Sequence, residues 1–441
     1  MVDARPDLPR HRDSDMWPVG FGGFGRRARN SGVGEQPPLA PDLGVGRIVQ
    51  QQFDRLHHDL QKVAVSPGGR VGSGVPARRG EDEPVNDGRI RLGLIEGDGI
   101  GPEVVGATRR VVDEALAAAD AAPVEWVPLP IGHRAIAEFG TPLPESTLDT
   151  LDELDAWILG PHDNASYPPE HRAAPGGAIR KRFGLYANIR PARAFAGVRS
   201  VAPDIDLVIV RENSEGFYAD RNMFAGSGEF RPTPDVALAV GVVTRDACVR
   251  IAHEAFRLAV ARRKRVTIVH KANVLPMTMG LFRDVCYEVA RDYPGVTVDD
   301  QHVDAMAAHL VRAAPQFDVL VTENLFGDIL SDLAGELSGS LGLAASLNCS
   351  ATRAMAQAVH GAAPALAGHN RANPAALQLS AAMLLHWLGT RDSDGGLRQA
   401  AERIERAVAA ALAAGIATAD LGGLASTSEF TEQVCARVHR R

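Results

Sequence analysis

The sequence predicts an α/β fold with substantial parallel sheet, and three observations carry the prediction. Apolar runs of strand length recur at 90–95, 124–129, 156–160, 207–210, 266–269 and 317–321. Between them lie segments whose apolar residues return every three or four positions, the spacing of a buried helix face. The C-terminal part, at 373–388 and 400–412, reads as mainly helical.

Composition bounds the function. A chain of 441 residues is long enough for two domains or one large bilobal unit. With 45% hydrophobic and 23% charged residues it is an ordinary globular composition. A net charge of −7 gives no electrostatic footprint for nucleic acid or an anionic membrane, so neither is expected as a partner. Cys248, Cys286, Cys349 and Cys435 are scattered without metal-ligand spacing and read as reduced thiols. No apolar run reaches the ~18 residues of a membrane span, and the first residues lack the apolar centre of a signal peptide. A cytoplasmic protein is expected.

Residues 1–88 stand apart. They are rich in Gly, Pro and Arg, with one short helix-like piece at 48–56. Such a composition buries too little apolar surface to fold alone, and a disordered extension is expected. The folded part opens with the 90–95 strand, followed by Glu96-Gly97-Asp98-Gly99-Ile100-Gly101-Pro102-Glu103. Pro102 suits the first helical position, and Val104, Val105, Thr108, Val111 and Val112 supply the helix's apolar face. A glycine-rich strand-to-helix turn admits close approach of a ligand to the backbone. Its Gly-x-Gly-x-Gly spacing is not that of a Rossmann turn, and a tight turn alone also explains it.

Chemistry-bearing residues gather at the ends of these elements. Asp328 and Asp332 are four apart near the start of a helix, so one face presents two carboxylates that can grip one hard cation. The plainer alternative has Asp328 capping the helix and Asp332 in solvent. Arg180 lies on a helical segment, Arg190 ends an extended segment before Pro191, and Arg211 follows the 207–210 strand. Three such guanidiniums can converge on a dicarboxylic acid, or form three unrelated surface ion pairs. Tyr218 sits in a polar turn and Lys271 directly follows a buried strand. The two can form an acid–base pair, or be a structural tyrosine and a snorkelling lysine.

Taken together, the motifs resemble one family, the metal-dependent β-decarboxylating dehydrogenases of isopropylmalate, isocitrate, homoisocitrate and tartrate. They are Gly97 to Glu103, Tyr186-Ala187-Asn188-Ile189-Arg190-Pro191, Val210 to Tyr218, His270-Lys271-Ala272-Asn273, Val303-Asp304-Ala305-Met306-Ala307, Gly327 to Asp332, and His360 to Gly368 followed by Ala372-Asn373-Pro374. They occur in the family's order over about residues 89–441.

The resemblance implies a two-lobed, isopropylmalate dehydrogenase-like fold on one long mixed sheet, not a Rossmann fold. It implies a large cofactor-binding lobe from 89–185 plus 339–441, and a small lobe at 186–338 with the metal site and dimer interface. Asp304, Asp328 and Asp332 are then the ligands of Mg2+ or Mn2+. Arg180, Arg190 and Arg211 hold the carboxylates of a 2-hydroxy dicarboxylic acid. Lys271 helps remove the C2 hydroxyl proton and Tyr218 protonates C3 after carbon dioxide leaves. Ile100, Asn273, His360, Gly361, Ala365 and Asn373 fall to the cofactor. Asp304 and Lys271 reach in from the second subunit of a homodimer.

Two departures bear on specificity. Ala365 stands where NAD users of the family carry an aspartate, and neither Leu366 nor 418–420 supplies a cation for a 2′-phosphate, so NAD is expected. The wall before Arg180 is Ala173, Pro175, Gly176 and Gly177, without a donor for a third carboxylate or a leucine surface for an isopropyl group, though His171 or Arg172 could swing in. Gln357 replaces a glutamate common in the family. The nearest named substrate is 3-isopropylmalate; tartrate or malate, isocitrate or homoisocitrate, and a non-catalytic regulatory subunit are the alternatives.

Overall fold

Most strands are apolar on both faces and therefore need cover on two sides. In β5 (Asp206–Glu212), Val208 and Val210 enter one core while Leu207 and Ile209 enter another. Its neighbour β10 (Val319–Thr322) divides in the same way, Val319 and Val321 against Leu320. The computed structural model describes residues 90–440 apart from 172–173, 219–222 and 224–225. The extension at 1–88 with its 48–56 piece lies outside the described residues, as do Arg172 and Ala173 of the wall.

Ten strands form one sheet among the described residues. From one edge the order is β2 (Val124–Pro128), β1 (Ile90–Ile95), β3 (Ala156–Leu159), β12 (Ala354–Ala356), β11 (Leu347–Cys349), β4 (Ala187–Arg193), β5, β10, β8 (Arg265–His270) and β9 (Thr297–His302). Pairing is parallel at both ends and antiparallel through the centre, where β12, β11, β4 and β5 meet. The sheet is therefore mixed and long. A separate exposed hairpin joins β6 (Glu229–Thr233) to β7 (Val236–Ala239).

Helices cover both faces. In chain order they are α1 (Gly101–Ala118), α2 (Gly132–Phe139), α3 (Glu145–Asp152), α4 (Pro175–Arg182), α5 (Arg245–Val260), α6 (Thr278–Ala290), α7 (Val303–Ala313), α8 (Asn324–Ser338), α9 (Ala375–Arg391), α10 (Gly395–Ala413) and α11 (Thr427–Val438). In α1 the inward stripe includes Val104, Val105, Thr108, Val111 and Val112, as the sequence spacing requires. Helix α9 is buried nearly all round and serves as a core helix between the sheet, α1 and α10. All four cysteines are free and buried. No helix among the described residues is long and apolar enough to cross a membrane.

Two local readings change. Arg190 does not end its strand: β4 continues through Pro191 to Arg193, paired with β5 along its whole length. Proline is tolerated there because the β11 pairing stops at Ile189, which leaves that flank of the strand open. The glycine turn after β1 is filled by the chain itself. Gly97 and Gly99 have φ of 73° and 57°, and a Cβ on either would lie about 2 Å from the carbonyl oxygen of Pro161 or Ala362. Asp98 N donates to Pro161 O at 2.7 Å and Ile100 N to Ala362 O at 2.9 Å, so the turn pins two loops beside the site.

Candidate active site

The site grows from the point where β5 and β10 deliver their C-terminal ends to α8. Glu323, not Asp328, caps α8: its carboxylate accepts from Phe326 N at 2.7 Å and Leu325 N at 3.1 Å. That leaves Asp328 and Asp332 one turn apart along the helix. Gly327 lets Arg211 cross, since a Cβ there would lie 2.6 Å from Arg211 Cγ and 2.7 Å from its Cβ.

Three donors converge on Asp328. Arg211 Nη1 donates to Oδ1, Arg190 Nη1 lies 3.2 Å from the same oxygen, and the Tyr218 hydroxyl donates to Oδ2. Arg190 also reaches Asp332 at 3.4 Å. The guanidiniums are aimed by buried polar groups. Arg211 Nε donates to Asn324 Oδ1 at 2.9 Å, and Arg190 Nε to Asn188 Oδ1 at 2.5 Å. Asn188 is itself fixed by Ser346 and Asn348. The Arg211 guanidinium also lies over the Tyr218 ring, 5.5 Å from its centroid.

The two aspartates titrate in opposite senses. Burial works to raise the Asp328 carboxyl, but Arg211, Arg190 and Tyr218 outweigh it and hold it below the ordinary carboxylate range. Asp332 is raised, by burial first and then by the negative charge of Asp328, against the pull of Arg190. Two hard oxygen donors on one helix face, one held ionised and the other disfavoured by its neighbour's charge, fit a hard divalent cation such as Mg2+ or Mn2+. Within this chain the described residues hold no group of three or more His, Cys, Asp or Glu able to bind a metal.

Asp304 and Lys271 lie elsewhere in the chain and face each other, Lys271 Nζ to Asp304 Oδ1 at 2.5 Å. Lys271 follows β8 as the sequence indicates, and Asp304 opens α7. The lysine's hydrogen bond lowers the Asp304 carboxyl. Asn273 is exposed on the loop beyond Lys271.

Arg180 opens a second part of the site. It projects from α4, and its Nη2 donates to Gln357 Oε1 at 2.8 Å. A cavity of about 170 Å3 is lined by Arg180, Arg190, Gln357, Ser346, His162 and His360 among others. An adjoining cleft of about 260 Å3 shares His360 and Gly361 with it and is also lined by Ile100, Asn373, Leu366 and Asp420. Four of the residues assigned to the cofactor, Ile100, His360, Gly361 and Asn373, therefore share this cleft. Ala365 lies on the same turn between two lining residues, Ala363 and Leu366.

His360 tests whether a cofactor fits. Its Nδ1 pairs with Gly361 O at 3.1 Å, and its buried Nε2 has no hydrogen-bond partner among the described residues. Burial lowers its pKa, so the ring is neutral and Nε2 is left a buried acceptor beside the cleft. A cleft of mostly apolar surface with Ser340, Asn373 and Asp420 among its lining residues suits a nicotinamide cofactor's ring and polar groups.

Sequence reasoning missed two groups. Asp420 stands in the cleft, held by Asn373 at 3.0 Å, Ser340 at 3.1 Å and Thr418 at 2.5 Å. His162 lines the smaller cavity just beyond β3. Only their position after a strand or inside a Thr-Ala-Asp turn hinted at either.

A long mixed sheet with arginines, carboxylates and a tyrosine gathered at the strand ends describes a class of acid-binding α/β enzymes. The comparisons place the chain within it. Residues 91–434 match the model of the isocitrate/isopropylmalate dehydrogenase family. An isocitrate/homoisocitrate dehydrogenase of Thermus thermophilus is 46% identical over 350 residues, 78% of this chain and 97% of the relative. A 3-isopropylmalate/3-methylmalate dehydrogenase of Methanocaldococcus jannaschii is 40% identical over 353 residues, 79% and 98% of the two chains. The crystal structure of isocitrate dehydrogenase from Methylococcus capsulatus superposes with a TM-score of 0.71 at 40% identity, covering 80% of this chain and all of that one. The chain belongs to the isocitrate/isopropylmalate dehydrogenase family of metal-dependent decarboxylating dehydrogenases.

Proposed function

We propose that the protein catalyses NAD-dependent oxidative decarboxylation of a 3-substituted malate, with Mg2+ or Mn2+ on Asp328 and Asp332. The convergence of Arg190, Arg211 and Tyr218 on Asp328, beside the cavity that Arg180 lines, carries this reading. The arginines hold the substrate's carboxylates as bidentate donors. When bound, the cation on Asp328 and Asp332 would supply positive charge against oxygen at C2 and the nicotinamide would supply a hydride acceptor. Lys271 removes the C2 hydroxyl proton, and the Tyr218 hydroxyl returns a proton to C3 once carbon dioxide has left.

Lys271 and Asp304 pair with each other at the start of α7, apart from the group around Asp328, and in our reading they complete the site of a second copy in a homodimer. Residues 89–185 with 339–441 form the cofactor-binding lobe and 186–338 the small lobe, a division supported by the sheet order, in which β4 meets β11. By sequence resemblance 3-isopropylmalate is the nearest named substrate. The polar lining of the smaller cavity favours a second reading, a substituent of the isocitrate or homoisocitrate kind. A panel of 3-substituted malates with NAD and Mn2+, scored by kcat/KM, tests the proposal. Turnover of at least one member is expected. No turnover, with activity appearing only beside a partner chain, would identify a regulatory subunit instead.

A further inference from the structure

His162 is clamped by the backbone on both sides of it. Asp98 N donates to Pro161 O at 2.7 Å, and Asp163 N donates to Asp98 Oδ2 at 2.9 Å. The carboxylate between them is itself fixed by His133 N at 2.8 Å and by the Tyr167 hydroxyl. The imidazole is thus delivered to a set place, against the first turn of α4. A Cβ on Gly176 would lie 3.2 Å from His162 Cε1 and 3.5 Å from Nε2, so the ring stands in room that the glycine leaves.

The cavity it enters is lined by two guanidiniums, Arg180 and Arg190, by Gln357, Ser346 and His360, and, among the described residues, by no carboxylate. No hydrogen bond to the His162 ring is found among the described residues. Burial first, and Arg180 second, bring its pKa down to about 4 against a smaller opposing effect of Asp98. At neutral pH the ring therefore offers one donor and one acceptor and no charge.

We infer that His162 is a specificity-determining residue: it occupies the gap left by Gly176 and selects substrates whose C3 substituent carries oxygen over those carrying an alkyl group. The inference rests on the reading of this cavity as the substrate site. An oxygen-bearing substituent, carboxylate or hydroxyl, meets a hydrogen-bonding ring and the field of two arginines. An isopropyl group covers the ring and leaves its donor and acceptor without water or partner. The wall read from sequence as lacking a donor gains one here from another element.

The test uses ligands that need no turnover. Binding of tricarballylate and of isopropylsuccinate is measured by calorimetry at pH 7.5 for the wild type, His162→Leu and His162→Gln, with melting temperatures to confirm folding. The wild type should favour tricarballylate by ~10-fold or more, His162→Leu should lose most of that ratio, and His162→Gln should keep it within about threefold. An unchanged ratio in His162→Leu, or a wild type that prefers isopropylsuccinate, overturns the inference and leaves the proposed activity standing. Absence of binding by either ligand to the wild type overturns both.

Discussion

Asp328 is one carboxylate serving two buried arginines, and the balance of burial against charge decides its behaviour. Burial alone would raise it; Arg211 and Arg190 win and it stays ionised. Its native pKa lies below the unfolded value, so the stability it confers is complete above about pH 4 and is lost as pH falls through the native value. Asp328→Asn removes the shared negative charge from two guanidiniums of which Arg211 is 2% and Arg190 8% exposed. Urea unfolding without added metal should show a loss of roughly 1–3 kcal/mol at pH 7, discounted for the partial exposure of Asp328, and the gap should narrow below pH 4. His162 carries a second pH signature. Its native pKa of about 4 lies below the ordinary histidine value of 6.5, so the unfolded chain binds its proton first. Stability should fall as pH drops from 6.5 towards 4, and His162→Leu should flatten that slope in urea titrations. A steeper slope in the variant would contradict the assignment. Residue types at strand ends made the arginines, the tyrosine and the aspartates visible in the sequence. His162 was hidden because its role depends on a gap in α4, which no local pattern around residue 162 records.

Helix α8 shows what an element adds. Its apolar spacing was legible, and so was the shared face of Asp328 and Asp332. Its cap was not, since Glu323 is an uncommon capping residue and Asp328 looked the better candidate. The passage of Arg211 over Gly327 depends on the distance between β5 and the helix, which only the packed structure sets. Gly327→Ala should raise intrinsic helix propensity yet force Arg211 aside. Displacement of about 1 Å predicts a fall in kcat/KM on the order of 100-fold with little change in melting temperature. A variant as active as the wild type would show that Arg211 is not held there for catalysis. The strand containing Arg190 was cut short in the sequence reading because Pro191 signals a strand end; its open flank in the sheet removes that penalty.

At the scale of the whole molecule, alternation of strands and helices announced the α/β class and the family resemblance a long mixed sheet, but no local pattern announced which strands make its antiparallel centre. Strands β11 and β12 are three residues each, too short for a periodic signal, yet they carry the sheet from β3 across to β4. The pairing of Lys271 with Asp304 bears on assembly. If those two residues complete a neighbour's site, Lys271→Ala and Asp328→Ala chains are each inactive, and a mixed dimer has both defects in one site and an intact second site. Random subunit exchange should then restore roughly a quarter of wild-type activity. No recovery despite exchange confirmed by mass spectrometry would place all the groups within one chain. The central claim, that one site couples oxidation to decarboxylation with a cation on Asp328 and Asp332, is tested most directly by stoichiometry. With the best 3-substituted malate of the panel, NADH and carbon dioxide should appear in equal amounts, both should stop on chelation, and both should return with Mn2+. NADH formed without carbon dioxide, or turnover that survives the chelator, would contradict it.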